Sequence, residues 1–424
     1  MDGWRRVHWV LFAVVAASFF LDGVLFVMVP ATIYLLPDLA QNATLIFAVN
    51  TIAFMLGALA LGRLGDVVGR RLGLIVSLVI YTVGALWFAL AYCAGVLDLV
   101  AAVFTTSLIY FGVGGKAGPA YAALAEFAPP RRRGAALMLA TNFWNIGVAV
   151  IAALSLQYAE LDPDPGAAVF YTFLTAVALA ALVLVARRHI PESPRWLVAR
   201  GREAEAKALV EKYDVEPPPR EEERKSLSGY WGRLAVFTAA FTAQIHTYYI
   251  AVYYLPYAPG FAYGAELAPL NFAVAHAGAA VGAFLLLPLI DRSRRLAFLS
   301  AFVGGLATAG ALAAVHGAAA QLYLAVLFLN LVFSEWALAA VSVLSAELFP
   351  TAVRSTAVGI VTAVGAVTAY AWLIYADAVF TEGVLGAGLF FAPLTALWAL
   401  GAVVAALWYV KGVESAGRRL EELV

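Results

Sequence analysis

Charged side chains are scarce in this chain. Asp, Glu, Lys and Arg make up 13% of its 424 residues, against about 25% in soluble domains. The 27 acids balance the 27 bases, and that balance alone says nothing about partners. Cys93 is the one cysteine, which rules out an intrachain disulfide, and no Cys/His cluster suggests a metal site. A phosphate-binding Gly-Lys-Ser/Thr loop is also missing, so the chain has no engine for ATP hydrolysis.

Apolar residues fill the space instead: 63% of the chain is hydrophobic and the mean hydropathy is +0.87. This is the composition of a polytopic membrane protein. The first apolar run, Trp9 to Leu36, is too long for a signal-peptide core and contains Asp22, so it reads as a retained span. At about 20 apolar residues per helix, twelve spans are expected: 8–36, 43–63, 72–93, 97–124, 134–157, 166–187, 231–258, 266–290, 296–315, 319–346, 355–380 and 384–410. The only long polar segment lies between the sixth and seventh. Its Arg202–Tyr213 stretch has helical composition and is stopped by Pro217-Pro218-Pro219. The expected organisation is a six-helix bundle over 1–188, a linker with a short amphipathic helix over 189–230, a second bundle over 231–412 and a tail over 413–424.

Charge placement follows that layout. Every Lys and Arg except Lys116 falls on one side, while the opposite loops carry acids such as Glu160, Asp162 and Asp164. The positive-inside rule then puts both termini in the cytoplasm, as expected of a multi-pass plasma-membrane protein. The halves also repeat. Asp66…Arg70 recurs as Asp291…Arg295, 225 residues on; Glu126-x-x-Pro129-x-x-x-Arg133 recurs as Glu347-x-x-Pro350-x-x-x-Arg354, offset 221; Glu192-Ser193 recurs as Glu414-Ser415, offset 222. Three unrelated patterns at nearly one offset argue for a duplicated six-helix unit.

The loop Gly62-Arg63-Leu64-Gly65-Asp66-Val67-Val68-Gly69-Arg70-Arg71 resembles the signature between the second and third helices of the major facilitator superfamily. Pro191-Glu192-Ser193-Pro194-Arg195-Trp196-Leu197 looks like the sequence after the sixth span of its sugar-porter branch, and Glu414 to Glu422 is similar to that branch's C-terminal motif. The resemblance covers nearly the whole chain. It implies an all-α membrane protein with 12 transmembrane helices in two pseudo-symmetric six-helix bundles, working by alternating access. It implies a transporter and not an enzyme, with no cofactor. The partners it implies are the lipid bilayer, a small-molecule substrate and H+; no nucleic acid is expected, and the chain is expected to act as a monomer. In the family, acids and arginines of these loops form a cytoplasmic network that locks the halves. Here the matching gating residues are Gly62, Asp66, Arg70, Glu126, Arg133, Glu192, Arg195, Asp291, Arg295, Glu347, Arg354 and Glu414. Guanidinium–carboxylate pairs are strong and directional, and about 1–3 kcal/mol suffices to set which gate opens.

Ionisable residues inside spans are costly and usually functional. Asp22, Lys116, His246 and Glu335 lie midway along spans one, four, seven and ten, the helices that line the central cavity in this superfamily. Each charge costs about 2.5–3.5 kcal/mol at midspan, and a pair ~4 Å apart recovers about 4 kcal/mol at an effective dielectric near 20. Asp22 and Lys116 are therefore expected together or near water, and protonating Asp22 would release Lys116. Asp22, Lys116 and Glu335 are the expected proton-coupling set. Proton-coupled sugar porters place an Arg in span four where this chain has Thr106; Gly114-Gly115-Lys116 is a departure.

Span seven carries Gln244, His246, Tyr249, Tyr253 and Tyr254. It resembles the sugar-porter pattern, with Tyr249 at the sugar-binding Asn. The expected substrate-binding set is Lys116, Gln244, His246, Tyr249, Tyr253, Asn145, Asn271 and Glu335. The two buried amides among them suit helix–helix hydrogen bonding equally well. Lys116 and His246 tilt the reading toward proton-coupled symport of a small organic acid, with a sugar as the alternative.

Overall fold

The computed structural model describes residues 4–161, 164–187, 190–218, 226–258, 260–382 and 388–424. All regular structure among them is helical, as lipid demands: a chain crossing hydrocarbon must satisfy its backbone polar groups internally. Twelve long helices follow one another. They are α1 Arg6–Leu35, α2 Ala43–Val67, α3 Arg70–Cys93, α4 Leu99–Phe127, α5 Arg133–Leu161 and α6 Pro165–Arg187. After the linker come α7 Trp231–Tyr249, α8 Ala268–Ile290, α9 Arg294–Val315, α10 Ala320–Glu347, α11 Arg354–Glu382 and α12 Gly388–Lys411.

Among the described residues, eleven helices are long and apolar enough to cross a membrane. The exception is α7, where a single helix over 231–258 was expected. Regular α-helix stops at Tyr249, continues as a π turn over Ile250–Tyr254 and ends in a 3-10 turn, Leu255–Tyr257. Gln244, His246 and Thr247 lower its hydropathy, and Pro256 has no N–H to carry the ladder onward. A π turn inside a membrane helix often marks a functional site.

The same neighbours recur in both halves. α1 packs on α5, α2 and α3 on α4, and α3 on α6; their counterparts are α7 on α11, α8 and α9 on α10, and α9 on α12. The halves meet along α2–α11 and α5–α8, equivalent pairs with the roles exchanged. Between the halves the linker forms two short helices, Pro194–Ala199 and Glu203–Tyr213, the second ending at Asp214 in a left-handed conformation. Arg5 bridges to Asp214 at 2.8 Å and Arg419 to Glu216, so the N-terminal segment, linker and tail meet at one end, called here the termini face. Pro219 and Asp162 lie outside the described residues.

One cation is not where the charge pattern puts it. Arg187, the last residue of α6, counts in sequence as a surface residue, yet it is fully buried. Its long stem lets the guanidinium turn inward from the helix end to Ser18 on α1, 2.8 Å away.

Candidate functional site

Acids of each half cap helices of the other at the termini face. Asp66, near the end of α2, accepts from the Ser355 and Thr356 amides at 3.1 and 2.7 Å and from the Thr356 hydroxyl at 2.6 Å. It thus sits on the N-terminus of α11, where a carboxylate is favoured. Asp291 does the same for α5, accepting from the Gly134 and Ala135 amides at 3.0 and 3.3 Å. The arginines are shared likewise. Glu126 pairs with Arg70 of its own half and Arg354 of the other, both at 2.8 Å. Glu347 pairs with Arg294 at 3.1 Å and, across the divide, with Arg133 at 3.4 Å.

The linker and the tail brace these helix ends. Glu192 accepts from the Arg70 and Arg71 amides, and Glu414 from those of Arg294 and Arg295. Arg195 reaches Glu421 of the tail at 2.6 Å and the Glu126 carbonyl. Gly62 permits the close crossing of α2 and α11, since a Cβ there would lie 3.0 Å from the Ser355 carbonyl oxygen.

Arg295 does not match Arg70 in this network. Arg294 takes that place, pairing with Asp291 at 3.0 Å and with Glu347. Arg295 instead donates to the Tyr409 carbonyl and stands 3.8 Å from Glu414. The turn after Asp291 is one residue shorter than the turn after Asp66, so equal sequence spacing selects the wrong arginine.

Midway through the molecule lies a cavity of about 160 Å³, below the roughly 300–1,000 Å³ of drug-sized pockets, so it suits a small metabolite. Asp22, Lys116, Asn145, Gln244, Tyr249 and Glu335 all line it. Lys116 forms an ion pair with Asp22, and its ammonium stands 3.6 Å from the centre of the Phe19 ring. Glu335 accepts from the Asn145 amide at 3.2 Å through one oxygen; the other has no hydrogen-bond partner among the described residues. Gln244 donates to the Ser334 hydroxyl at 3.2 Å, and its own oxygen has no partner among the described residues. Phe26 and Trp144 add aromatic faces.

Three expected residues are elsewhere. His246 binds the Thr242 carbonyl through Nδ1 and does not line the cavity. Helical geometry explains this: the lining face of α7 is Phe241, Gln244, Ile245, Tyr248 and Tyr249, and a residue two after Gln244 points about 200° away. Asn271 donates to the Ala251 carbonyl and accepts from Tyr323, which ties α8 to the π turn and to α10. Tyr253 packs against Tyr248, Tyr249 and Phe272 behind the lining.

Tyr248 is one of several lining residues that sequence reasoning missed, along with Phe26, Tyr121 and Trp144. For Tyr248, its spacing of four from Gln244 was the available signal. Its hydroxyl meets His276 Nε2 at 2.8 Å, while His276 Nδ1 lies 2.9 Å from the Phe272 carbonyl. A carbonyl only accepts, so neutral His276 carries its proton on Nδ1 and Tyr248 donates to Nε2.

A bundle of paired six-helix units, crossed caps at one face and a charged central cavity together define a membrane transporter. The chain matches the family described as sugar (and other) transporter over residues 16–424 and belongs to it; its fold is that of major facilitator superfamily structures, and it is a transporter and not an enzyme. It is 30% identical over 377 residues to the inner membrane metabolite transport protein YgcS of Escherichia coli, covering 85% of this chain and 82% of that one. It is 34% identical over 177 residues to sugar transporter ERD6-like 15 of Arabidopsis thaliana, 40% of this chain and 33% of that one. Among solved structures it is similar to the proton:xylose symporter XylE bound to 6-bromo-6-deoxy-D-glucose, with TM-score 0.82, 18% identity and 98% of both chains covered.

Proposed function

We propose that this transporter carries out proton-coupled symport of a small organic anion by alternating access. The observation that carries the reading is the Asp22–Lys116 pair standing in the central cavity, with Glu335 lining the same space. Two acids and one ammonium give the cavity one surplus negative charge when all are ionised. One proton on either acid brings the sum to zero, and Lys116 is then the group to receive a carboxylate. Uptake of anion and proton together leaves the loaded cavity with the same net charge as the empty one.

The termini face is taken as cytoplasmic, on the positive-inside pattern, in a plasma membrane. The bundles are assigned to 1–188 and 231–412, with 189–230 as linker and 413–424 as tail, and the transporter acts as a monomer. The crossed caps and ion pairs then form the cytoplasmic gate, closed in this structure.

A second reading, proton-coupled or facilitative sugar transport, draws on Trp144, Phe26, Tyr249 and Gln244 in the lining. Aromatic faces plus amide groups are what a neutral polyol needs. The names of the Arabidopsis relative and of XylE point the same way. A binding screen of purified protein across gluconate, nicotinate, phosphate, xylose and glucose separates the two. The anion reading expects a carboxylate to bind and Lys116→Ala to weaken it by about tenfold or more, the scale of one charge-assisted contact. Binding confined to neutral sugars and indifferent to Lys116→Ala would overturn it.

A further inference from the structure

Arg187 is a buried cation for which the reading above has no task. Its guanidinium is fully buried and makes one hydrogen bond, to Ser18 Oγ; Nε and Nη1 have no partner, and no ion pair reaches it among the described residues. Burying an ion costs several kcal/mol unless an opposite charge compensates it. Two acidic groups act on it electrostatically, the Tyr81 phenol and Asp22, and Asp22 is the one carboxylate of the two. Ser18 and Asp22 are four residues apart on α1 and so share a face, one turn from each other. Asp22 gives Oδ2 to Lys116 and leaves Oδ1 without a hydrogen bond among the described residues. The unpartnered atoms on Asp22 and Arg187 are complementary: an acceptor on one, two donors on the other.

The other titratable groups near Asp22 do not change the balance. Tyr81 on α3 lies beside Arg187, Tyr121 on α4 is near Asp22, and Glu335 on α10 lines the cavity. One negative and two positive charges leave the first half with one unbalanced positive charge. Lys116 bears it on the cavity side. Glu335 has the opposite difficulty, with one amide donor and no cation paired to it among the described residues.

We propose that Arg187 is a second counter-ion for Asp22: it holds this carboxylate ionised from the termini side, so that Lys116 can leave it for the carboxylate of an anionic substrate. The transported proton is then carried by Glu335, with which no cation is paired among the described residues. The substrate and proton steps rest on the anion-symport reading; the Arg187–Asp22 relation does not.

Infrared difference spectroscopy of the purified protein, titrated from about pH 8 to 5 around the ordinary carboxylate and imidazole range, tests that relation without any ligand. Lys116→Gln alone should show no protonated-carboxyl band assignable to Asp22 at neutral pH, because Arg187 still holds it. Adding Arg187→Gln should produce the band, Arg187→Lys should not, and Asp22→Asn should erase it. A protonated Asp22 already present in Lys116→Gln would overturn the proposal, and that variant leaves Arg187 untouched.

The substrate step is tested with gluconate as probe and xylose as neutral control. Arg187→Gln should weaken gluconate by about tenfold, since Lys116 is then the sole partner of Asp22, and should leave xylose unchanged. Asp22→Asn placed in the Arg187→Gln background should restore gluconate to within about twofold. Losses that merely add would contradict a role acting through Asp22. A wild type that binds no carboxylate would end the anion reading while the infrared result still decides Arg187.

Discussion

Within the cavity Asp22, Gln244 and Glu335 each have a spent atom and, among the described residues, a free one, and the free ones are open to a ligand. Glu335 offers one oxygen, Gln244 another, and Lys116 the donors it does not share with Asp22. Tyr248 lines the cavity and is committed as donor to His276, which leaves its hydroxyl oxygen able to accept. Tyr248→Phe should therefore weaken a hydroxylated substrate by about one hydrogen bond, roughly 0.5–1.5 kcal/mol, in a calorimetric titration. His246→Ala should leave the same titration unchanged, because its ring is spent on the Thr242 carbonyl outside the cavity. Asp22, Lys116 and Glu335 were readable in the sequence because a charge in an apolar run needs a reason to be there. Tyr248 was hidden among four neighbouring tyrosines, where only the helical face distinguishes lining from packing. Arg187 was hidden because sequence shows where a residue is anchored but not which way a long side chain turns.

Helix ends are the working elements of the termini face. Asp66 satisfies two N-terminal amides of α11 from the opposite half, and no other described side chain is placed to do so. Asp66→Ala leaves those donors and Arg70 short of a partner, and removing one member of a buried ionic set costs about 3–5 kcal/mol. Spin labels on either side of this face should show it opening, while substrate affinity is retained. Gly62→Leu should act in the same direction through bulk, wedging α2 from α11 at the Ser355 carbonyl.

Glu414 brings pH into the same region. Burial pushes its carboxyl up, but the Ser293 hydroxyl and the amides of Ala416, Arg294 and Arg295 outweigh burial and hold it below its ordinary value. A carboxyl lowered in the folded state lends stability above its unfolded value and loses it as pH falls through the folded one. Glu414→Gln should thus lower Tm at pH 7, by an amount that shrinks below about pH 4. The repeat Asp66/Asp291 was legible from sequence because the acid keeps its place in both turns. Arg294 was not, since a one-residue difference in turn length is invisible to spacing alone.

Across the whole molecule, each half caps and pairs with the other through equivalent parts. Caps cross from α2 to α11 and from α8 to α5, and Glu126 and Glu347 each take one arginine from either side. Twelve helices, two repeats and a charged middle could all be read from hydropathy and offsets. The break in α7 could not, because its polar lining and Pro256 act together only once the helix has a cavity to face. The account's central claim is that the cavity acids couple an anion to a proton. Its most direct test is gluconate accumulation in proteoliposomes under an imposed proton gradient, comparing wild type with Glu335→Gln and Asp22→Asn. The account predicts that wild type concentrates the anion above equilibrium and that Glu335→Gln only equilibrates it, with binding preserved. Accumulation that survives replacement of both acids would contradict it.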